Sequence, residues 1–167
     1  MKNYDYSSKG AYFVTVCVKN RAPILGEIMN VGRLAIKPPN SYENKVIVKL
    51  TDIGETTKYY IENINNVYEN ICVDTYIIMP DHIHLLLIFK DGGLRASRPT
   101  EETEISDKKR TLFSVIRSLK RMINRKIEKS IWQDSYYEHI IRNENDLYET
   151  RKYIEENPAR RYFSEKR

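Results

Sequence analysis

The sequence predicts one α+β domain of the ferredoxin-like (RRM-like) kind. Its antiparallel sheet carries helices on one face, with a further helix at the C-terminal end. Three observations carry that expectation. Hydrophobic periodicity along the chain alternates in the order strand, helix, strand, strand, helix, strand, helix. The length, 167 residues with 41% apolar content, suffices for one core and leaves little for a second, so residues 1–167 read as a single domain. No internal repeat interrupts the order.

The first strand is GAYFVTVCVKN, Gly10 to Asn20, with Tyr12, Val14, Val16 and Val18 on one face. Two short strands, ILGEIM and KVIVKL, flank NVGRLAIKPPNSYEN, whose Pro-Pro, Asn and Gly predict an irregular excursion. The period then changes. Ile53, Tyr60, Ile64, Val67 and Ile71 form one helical stripe, with Thr51 or Asp52 as its cap. VDTYIIM, the turn-former PD and HIHLLLIF make an antiparallel hairpin. Residues 90–110 hold almost nothing apolar and read as a mobile loop. A helix resumes from Thr111 to Lys129, with Leu112, Val115, Ile116, Leu119, Ile123 and Ile127 buried. YYEHIIR is a strand. Asn143 caps a last helix over about 144–156, which Pro158 is expected to stop.

Bulk properties narrow the function. A net charge of +5 leans toward a polyanionic partner, although solubilising charge would give the same total. Two distant cysteines, Cys17 and Cys72, fit a reduced compartment and neither a disulfide scaffold nor a thiolate zinc site. No apolar run approaches the ~20 residues of a membrane span, and the N-terminus lacks the apolar stretch of a signal peptide. The expectation is a cytoplasmic protein with no membrane partner.

The hairpin poses a chemical question, because two of the three histidines, His82 and His84, lie in its hydrophobic second strand. Strand side chains alternate, so both point one way, about 6.5–7 Å apart along the chain. They can converge on one divalent cation, or simply be two satisfied histidines at a strand edge. Asp81 is adjacent but is expected to face away. With no thiolate near in sequence, a metal here would sit in a mixed nitrogen and oxygen site with open positions. That suits Mg²⁺ or Mn²⁺ together with a phosphate oxygen and water.

The last helix adds Tyr153 and Asn157, four apart and therefore on one face at roughly 6 Å. A phenol can act as a covalent nucleophile, and an amide oxygen can ligate a hard cation. Equally, Tyr153 could pack on the sheet while Asn157 caps the helix. Tyr136, Tyr137 and Tyr148 compete for the nucleophile's role among 13 tyrosines.

Taken jointly, YIIMPDHIHLLL and IWQDSYYEHIIRNENDLYETRKYIEENP resemble the HUH single-tyrosine transposases, most closely the REP-associated tyrosine transposase branch. YFVTVCVKNR is similar to that family's first strand, and the likeness covers most of residues 10–160. The resemblance implies that His82 and His84 bind a divalent metal, Mg²⁺ or Mn²⁺. It implies that Tyr153 is the nucleophile and Asn157 the third protein ligand, where insertion-sequence relatives usually carry Gln. The implied partner is single-stranded or hairpin DNA in a bacterial cytoplasm, associated with the nucleoid. The implied activity is cleavage and rejoining through a 5′-phosphotyrosine intermediate. This chain departs from the pattern in its 30–44 excursion and in the acidic loop at 101–107.

Residues 108–129 hold nine Lys or Arg and one acid. Lys109, Arg117, Lys120, Arg121 and Lys129 lie largely off the apolar stripe, and the first four form, with Arg142, Arg160 and Arg161, the expected phosphate-contacting set. A solvated helix face is the plainer alternative. His139 reads as structural. Two other functions share this scaffold: a nucleic-acid-binding module without catalysis, and a metal-dependent phosphohydrolase using water. The sequence leaves monomer and homodimer both open, and with them whether the tyrosine acts in cis or in trans.

Overall fold

The computed structural model describes residues 9–36, 41–90 and 111–165. The loop expected at 90–110 and the DNA-contacting role expected for Lys109 lie outside the described residues, apart from Lys90. Elements in chain order are β1 (Gly10–Cys17), β2 (Gly26–Ile36), β3 (Ser41–Leu50), α1 (Asp52–Glu62), α2 (Ile64–Val67), β4 (Ile71–Met79), β5 (His82–Phe89), α3 (Leu112–Lys126), β6 (Tyr137–Ile141) and α4 (Glu144–Ser164).

The main sheet has the order β4-β5-β1-β6, and every neighbouring pair in it is antiparallel. With α1 and α3 as its crossovers, this is the ferredoxin-like arrangement. The alternation seen in β1 is real. Tyr12, Val14, Val16 and Val18 are buried together with Ile83, Leu85 and Leu87 of β5. Leu112, Val115, Ile116, Leu119 and Ile123 of α3 and Ile61 of α1 cover that face. Burying such branched side chains contributes roughly 1.5–3 kcal/mol each. The helix α4 lies against the opposite face, where the histidines point.

Three local expectations are corrected. Of the irregular excursion expected at 30–44, residues 37–40 lie outside the described residues, while 30–36 belong to β2 and 41–44 to β3, an antiparallel pair whose register slips between Asn30 and Arg33. A β-bulge there absorbs the Gly32 region, so glycine marks a bulge and not a break. The long stripe from Ile53 to Ile71 is divided at Asn63 into α1 and α2, while Ile71 opens β4 and Val67 is exposed. Thr51 does cap α1, its hydroxyl accepting from the Gly54 N–H at 3.1 Å. Finally, α4 runs through Pro158 to Ser164. Proline removes one helical hydrogen bond and crowds the carbonyl a turn earlier, yet Ile154 and Pro158 are buried and Arg161 is tied to Asp81. Tertiary contacts outweigh the local break.

Gly54 has a packing reason. A Cβ there would stand 2.0 Å from the Leu25 carbonyl oxygen, so only glycine lets α1 sit on the chain entering β2. The same segment reaches the hairpin, because the Leu25 N–H donates to the Pro80 carbonyl at 2.9 Å. Among the described residues no helix is long and apolar enough to cross a membrane. Cys17 and Cys72 are both free thiols, only half-buried.

Candidate active site on the helix-covered half of the sheet

Strand register lays out the site as rows. Ile77, His84, Thr15 and Tyr137 form one cross-strand row, and Leu86, Phe13 and His139 form the next. Met79, His82 and Cys17 form the row nearest the β4–β5 turn. All share the face opposite the Ile83–Leu85–Leu87 core, as strand alternation requires.

Both imidazoles are held from behind. The Asp81 carboxylate accepts from His82 Nδ1 at 2.8 Å, and the Thr15 hydroxyl meets His84 Nδ1 at 2.8 Å. The two Nε2 atoms consequently face each other at 3.0 Å. This corrects the expectation that Asp81 faces away. Asp81 sits in the Pro80–Asp81 turn, where strand alternation no longer applies, and its carboxylate folds back onto His82. A carboxylate behind a histidine fixes the ring and its tautomer, the usual support of a metal-binding imidazole. A threonine hydroxyl can donate or accept, so it supports either tautomer of His84.

Protonation states suit the same chemistry. Burial lowers the His82 pKa, and the Asp81 carboxylate offsets only part of the effect. Burial, followed by the proximity of His82 and Arg21, lowers His84 to about 3. Burial pushes Asp81 up, but hydrogen bonds from His82 and Arg161 outweigh it and hold the carboxyl below its ordinary value. At neutral pH the site is two neutral imidazoles backed by one carboxylate, the ionisation that metal coordination requires.

The helix α4 delivers the tyrosine. Its start is capped by Asn143, whose side-chain oxygen accepts from the Asp146 N–H at 2.9 Å. Arg151 grips Asp74 of β4 with two hydrogen bonds, at 2.7 and 2.6 Å. Two residues beyond Arg151 the Tyr153 ring lies 5.3 Å from the His84 ring and 5.9 Å from Phe13, edge-on to both. Phe13 in turn stacks on His84 at 5.2 Å. Two turns after Tyr153, Arg161 donates to Asp81. Asn157 lies midway between those contacts, 9% exposed. Its side chain makes no hydrogen bond among the described residues.

A divalent cation fits this donor set. Two imidazole nitrogens have their outer atoms already engaged, and a buried amide lies on the covering helix. Among the described residues no three His, Cys, Asp or Glu side chains gather as a metal-binding group. Coordination beyond the histidines would come from the Asn157 amide, a substrate oxygen and water.

The basic residues divide. Arg161 belongs to the site, bonded to Asp81 and, at 2.8 Å, to Glu165. Arg160 is exposed and paired with Glu156 at 2.7 Å, while Arg142 is exposed at the β6–α4 turn. Arg117 and Arg121 lie on the exposed side of α3, across the sheet from the histidines. Lys120 differs from the expectation most. Its ammonium donates to the carbonyls of Gln133, Asp134 and Ser135 at 2.8, 3.2 and 3.0 Å, which occupies it inside the fold.

Sequence reasoning passed over Arg21. Its guanidinium approaches Asp81 to 3.6 Å while more than half exposed. Asn20 and Arg21 both have left-handed backbone, at φ 55° and 53°, a conformation costing of order 1 kcal/mol or more per non-glycine residue. The Lys-Asn-Arg turn after β1 carried that signal only weakly, through its asparagine.

A ferredoxin-like sheet with paired histidines on one strand, and a tyrosine helix laid across them, has the architecture of a single-tyrosine HUH domain. No protein-family model matches the chain. It is 30% identical over 168 residues to an uncharacterized protein of Haemophilus influenzae, spanning 95% of this chain and 85% of that one. A second protein of the same organism, named "Putative REP-associated tyrosine transposase", is 28% identical over 173 residues, 99% of this chain and 80% of its own length. Among solved structures, a REP-associated tyrosine transposase bound to a REP hairpin superposes with a TM-score of 0.59 at 20% identity. That match covers 96% of this chain and 73% of the neighbour. The chain has the transposase fold, and it is similar over nearly its whole length to a protein that bears the REP-associated tyrosine transposase name.

Proposed function

We propose that this protein binds hairpin DNA and cuts and rejoins its single-stranded flank, with Tyr153 as nucleophile. The observation that supports this best is the convergence of His82 Nε2 and His84 Nε2, at 3.0 Å, beside the Tyr153 ring of the same chain. The tyrosine is thus at hand in cis. A pure binding module has no use for two buried imidazoles backed by Asp81 and Thr15. A water-using phosphohydrolase has no use for an aromatic side chain held edge-on against them.

In the proposed step the Tyr153 oxygen attacks phosphorus in line, a phosphotyrosine O–P bond forms and the P–O3′ bond breaks. The phenolic proton is lost to solvent and the departing 3′ oxygen gains one. One phosphodiester replaces another, so a strand's 3′-OH can reverse the step without nucleotide hydrolysis. Mg²⁺ or Mn²⁺ held by His82, His84 and Asn157 would supply Lewis-acid polarisation of a non-bridging phosphate oxygen. The protein's own contribution is placement: α4 fixes the phenol, and Asp81 and Thr15 fix the rings. Arg21, half exposed at the edge of the site, contributes positive charge toward the phosphate. Arg142 and Arg160 would extend the basic surface for the DNA backbone and give a salt-dependent affinity, while Arg117 and Arg121, across the sheet, would meet DNA only away from the site.

The test is a labelled pool of DNA hairpins with randomised single-stranded flanks, incubated with Mn²⁺ and run on a denaturing gel. Wild-type protein should yield a covalent protein–DNA band, and Tyr153→Phe should yield none while retaining hairpin affinity within about twofold. Cut DNA without a covalent band points to hydrolysis by water. An adduct that survives Tyr153→Phe refutes the nucleophile.

A further inference from the structure

Beside the tyrosine lies a cleft of about 300 Å³ lined by Phe13, Tyr137, His139, Glu149, Thr150 and Tyr153. It exists because α4 leans toward the β4 side of the sheet, latched by Arg151 to Asp74. The β1–β6 side of the same face is left uncovered. Tyr137, in register with Thr15 and so two strands over from His84, is 62% exposed, and Tyr153 is 40% exposed. The Tyr153 ring is shared: it packs edge-on to His84 and Phe13 and also forms a wall of this cleft.

We infer that this cleft is a single-nucleobase subsite, taking the unpaired base next to the phosphate that Tyr153 attacks. The inference rests on the function proposed above and deepens it. A volume of this size, with three aromatic rings and an imidazole among its six lining residues, fits one planar base. Such rings stack on a base whatever its identity. No lysine or arginine lines the cleft, so it does not hold the phosphate itself. Because Tyr153 bounds both spaces, a base seated here belongs to a nucleotide adjoining the attacked phosphodiester.

The polar lining adds selectivity. Glu149 lies one helical turn before Tyr153 and makes no hydrogen bond or ion pair among the described residues. Its carboxylate only accepts, so it favours a base presenting an exocyclic amino group and disfavours the carbonyl at the same place on thymine. His139 Nε2 is engaged by Asp146 at 3.0 Å, which leaves its Nδ1 as the ring's one remaining polar atom toward a base.

The experiment compares fluorescein-labelled (dC)₁₂ and (dT)₁₂ by anisotropy at pH 7.5, without metal. Tyr153→Phe protein, Tyr137→Ala protein and Glu149→Gln protein are each set against wild type. Tyr137 is exposed, so its truncation leaves the fold intact, as circular dichroism should verify. Wild type should prefer (dC)₁₂ severalfold. Tyr137→Ala should weaken both oligonucleotides about tenfold, and Glu149→Gln should abolish the preference without weakening (dT)₁₂. A 5-iodo-deoxycytidine placed in the oligonucleotide should photocrosslink to Tyr137 or Phe13. Unchanged affinity in Tyr137→Ala, absent binding by wild type, or crosslinks confined to α3 would each overturn the subsite. Tyr153→Phe should still bind here, so failure of the wild-type protein to form a covalent adduct counts against the chemistry and not against the cleft.

Discussion

Lowering the pH from 7 to 5 should destabilise the protein through its own histidine pair, by an amount the structure allows to be worked out. His84 is 4% exposed and its pKa is held near 3 in the fold, against about 6.5 in an unfolded chain. Between those values the unfolded state binds a proton that the folded state refuses. Stability is therefore complete above about pH 6.5 and falls as the pH drops toward the folded value. At pH 5, some 1.5 units below the unfolded pKa, the loss from His84 is about 2 kcal/mol at ~1.4 kcal/mol per unit. His82, also lowered by burial, adds to the loss. Asp81 is held below its ordinary value and remains charged at pH 5, so its own contribution is lost only in stronger acid. Urea unfolding in EDTA, followed by the fluorescence of the single Trp132, which is buried, reads this directly. With a slope of about 1–3 kcal/mol per molar, the midpoint should fall by roughly 1 M. His84→Gln should remove most of that dependence. A midpoint that is flat or higher at pH 5, or a dependence undiminished in the variant, refutes the account of a buried neutral pair.

Other expectations concern single contacts. Thr15→Val removes the hydroxyl behind His84 without changing shape, so Mn²⁺ affinity by calorimetry should fall about 10–100-fold with little change in melting temperature. Lys120→Met leaves three carbonyls without their shared donor and should cost about 1–3 kcal/mol in urea unfolding, while the salt dependence of DNA binding stays as in wild type. A reduced salt slope would show that this ammonium reaches phosphate after all. Asp74→Ala frees Arg151, and because the pair is half exposed on the arginine side it should cost under about 1 kcal/mol. The rate of covalent adduct formation should nevertheless drop about tenfold or more as the tyrosine loses its placement. Equal rates would show that the latch is unrelated to the chemistry.

How much of this was legible depends on how local each signal is. His82 and His84 could be read as a pair because the strand period guarantees a shared face, and Thr51 could be read as a cap because its partner lies three residues away. The buried stripe of α3 was equally readable. Asp81 was misread because the rule that places strand side chains stops at a turn. Lys120 was misread because its three partners, residues 133–135, come from a segment that only the folded chain brings near. Arg161 was assigned to DNA by its charge alone, when its partner Asp81 lies 80 positions away in sequence. Charges announce themselves in a sequence, but what neutralises them does not.

The same distinction explains why α4 outruns its proline, and why that matters for the site. Local propensity ends the helix before Pro158, which would leave Asn157 as a terminal residue and Arg161 in a tail. Extended through Pro158, the helix places Tyr153, Asn157 and Arg161 at intervals of four, a stripe that drifts slowly around its axis. The drift puts Tyr153 toward the open β1 side, Asn157 beneath the helix and Arg161 over the β4–β5 turn. Arg151 on Asp74 and Arg161 on Asp81 hold the helix on either side of that stretch. Rotation about the helix axis would break one or both, so the ion pairs set the angle at which the phenol meets the imidazoles. The proline is tolerated because tertiary contacts override it, among them Arg161 on Asp81, the same carboxylate that holds His82.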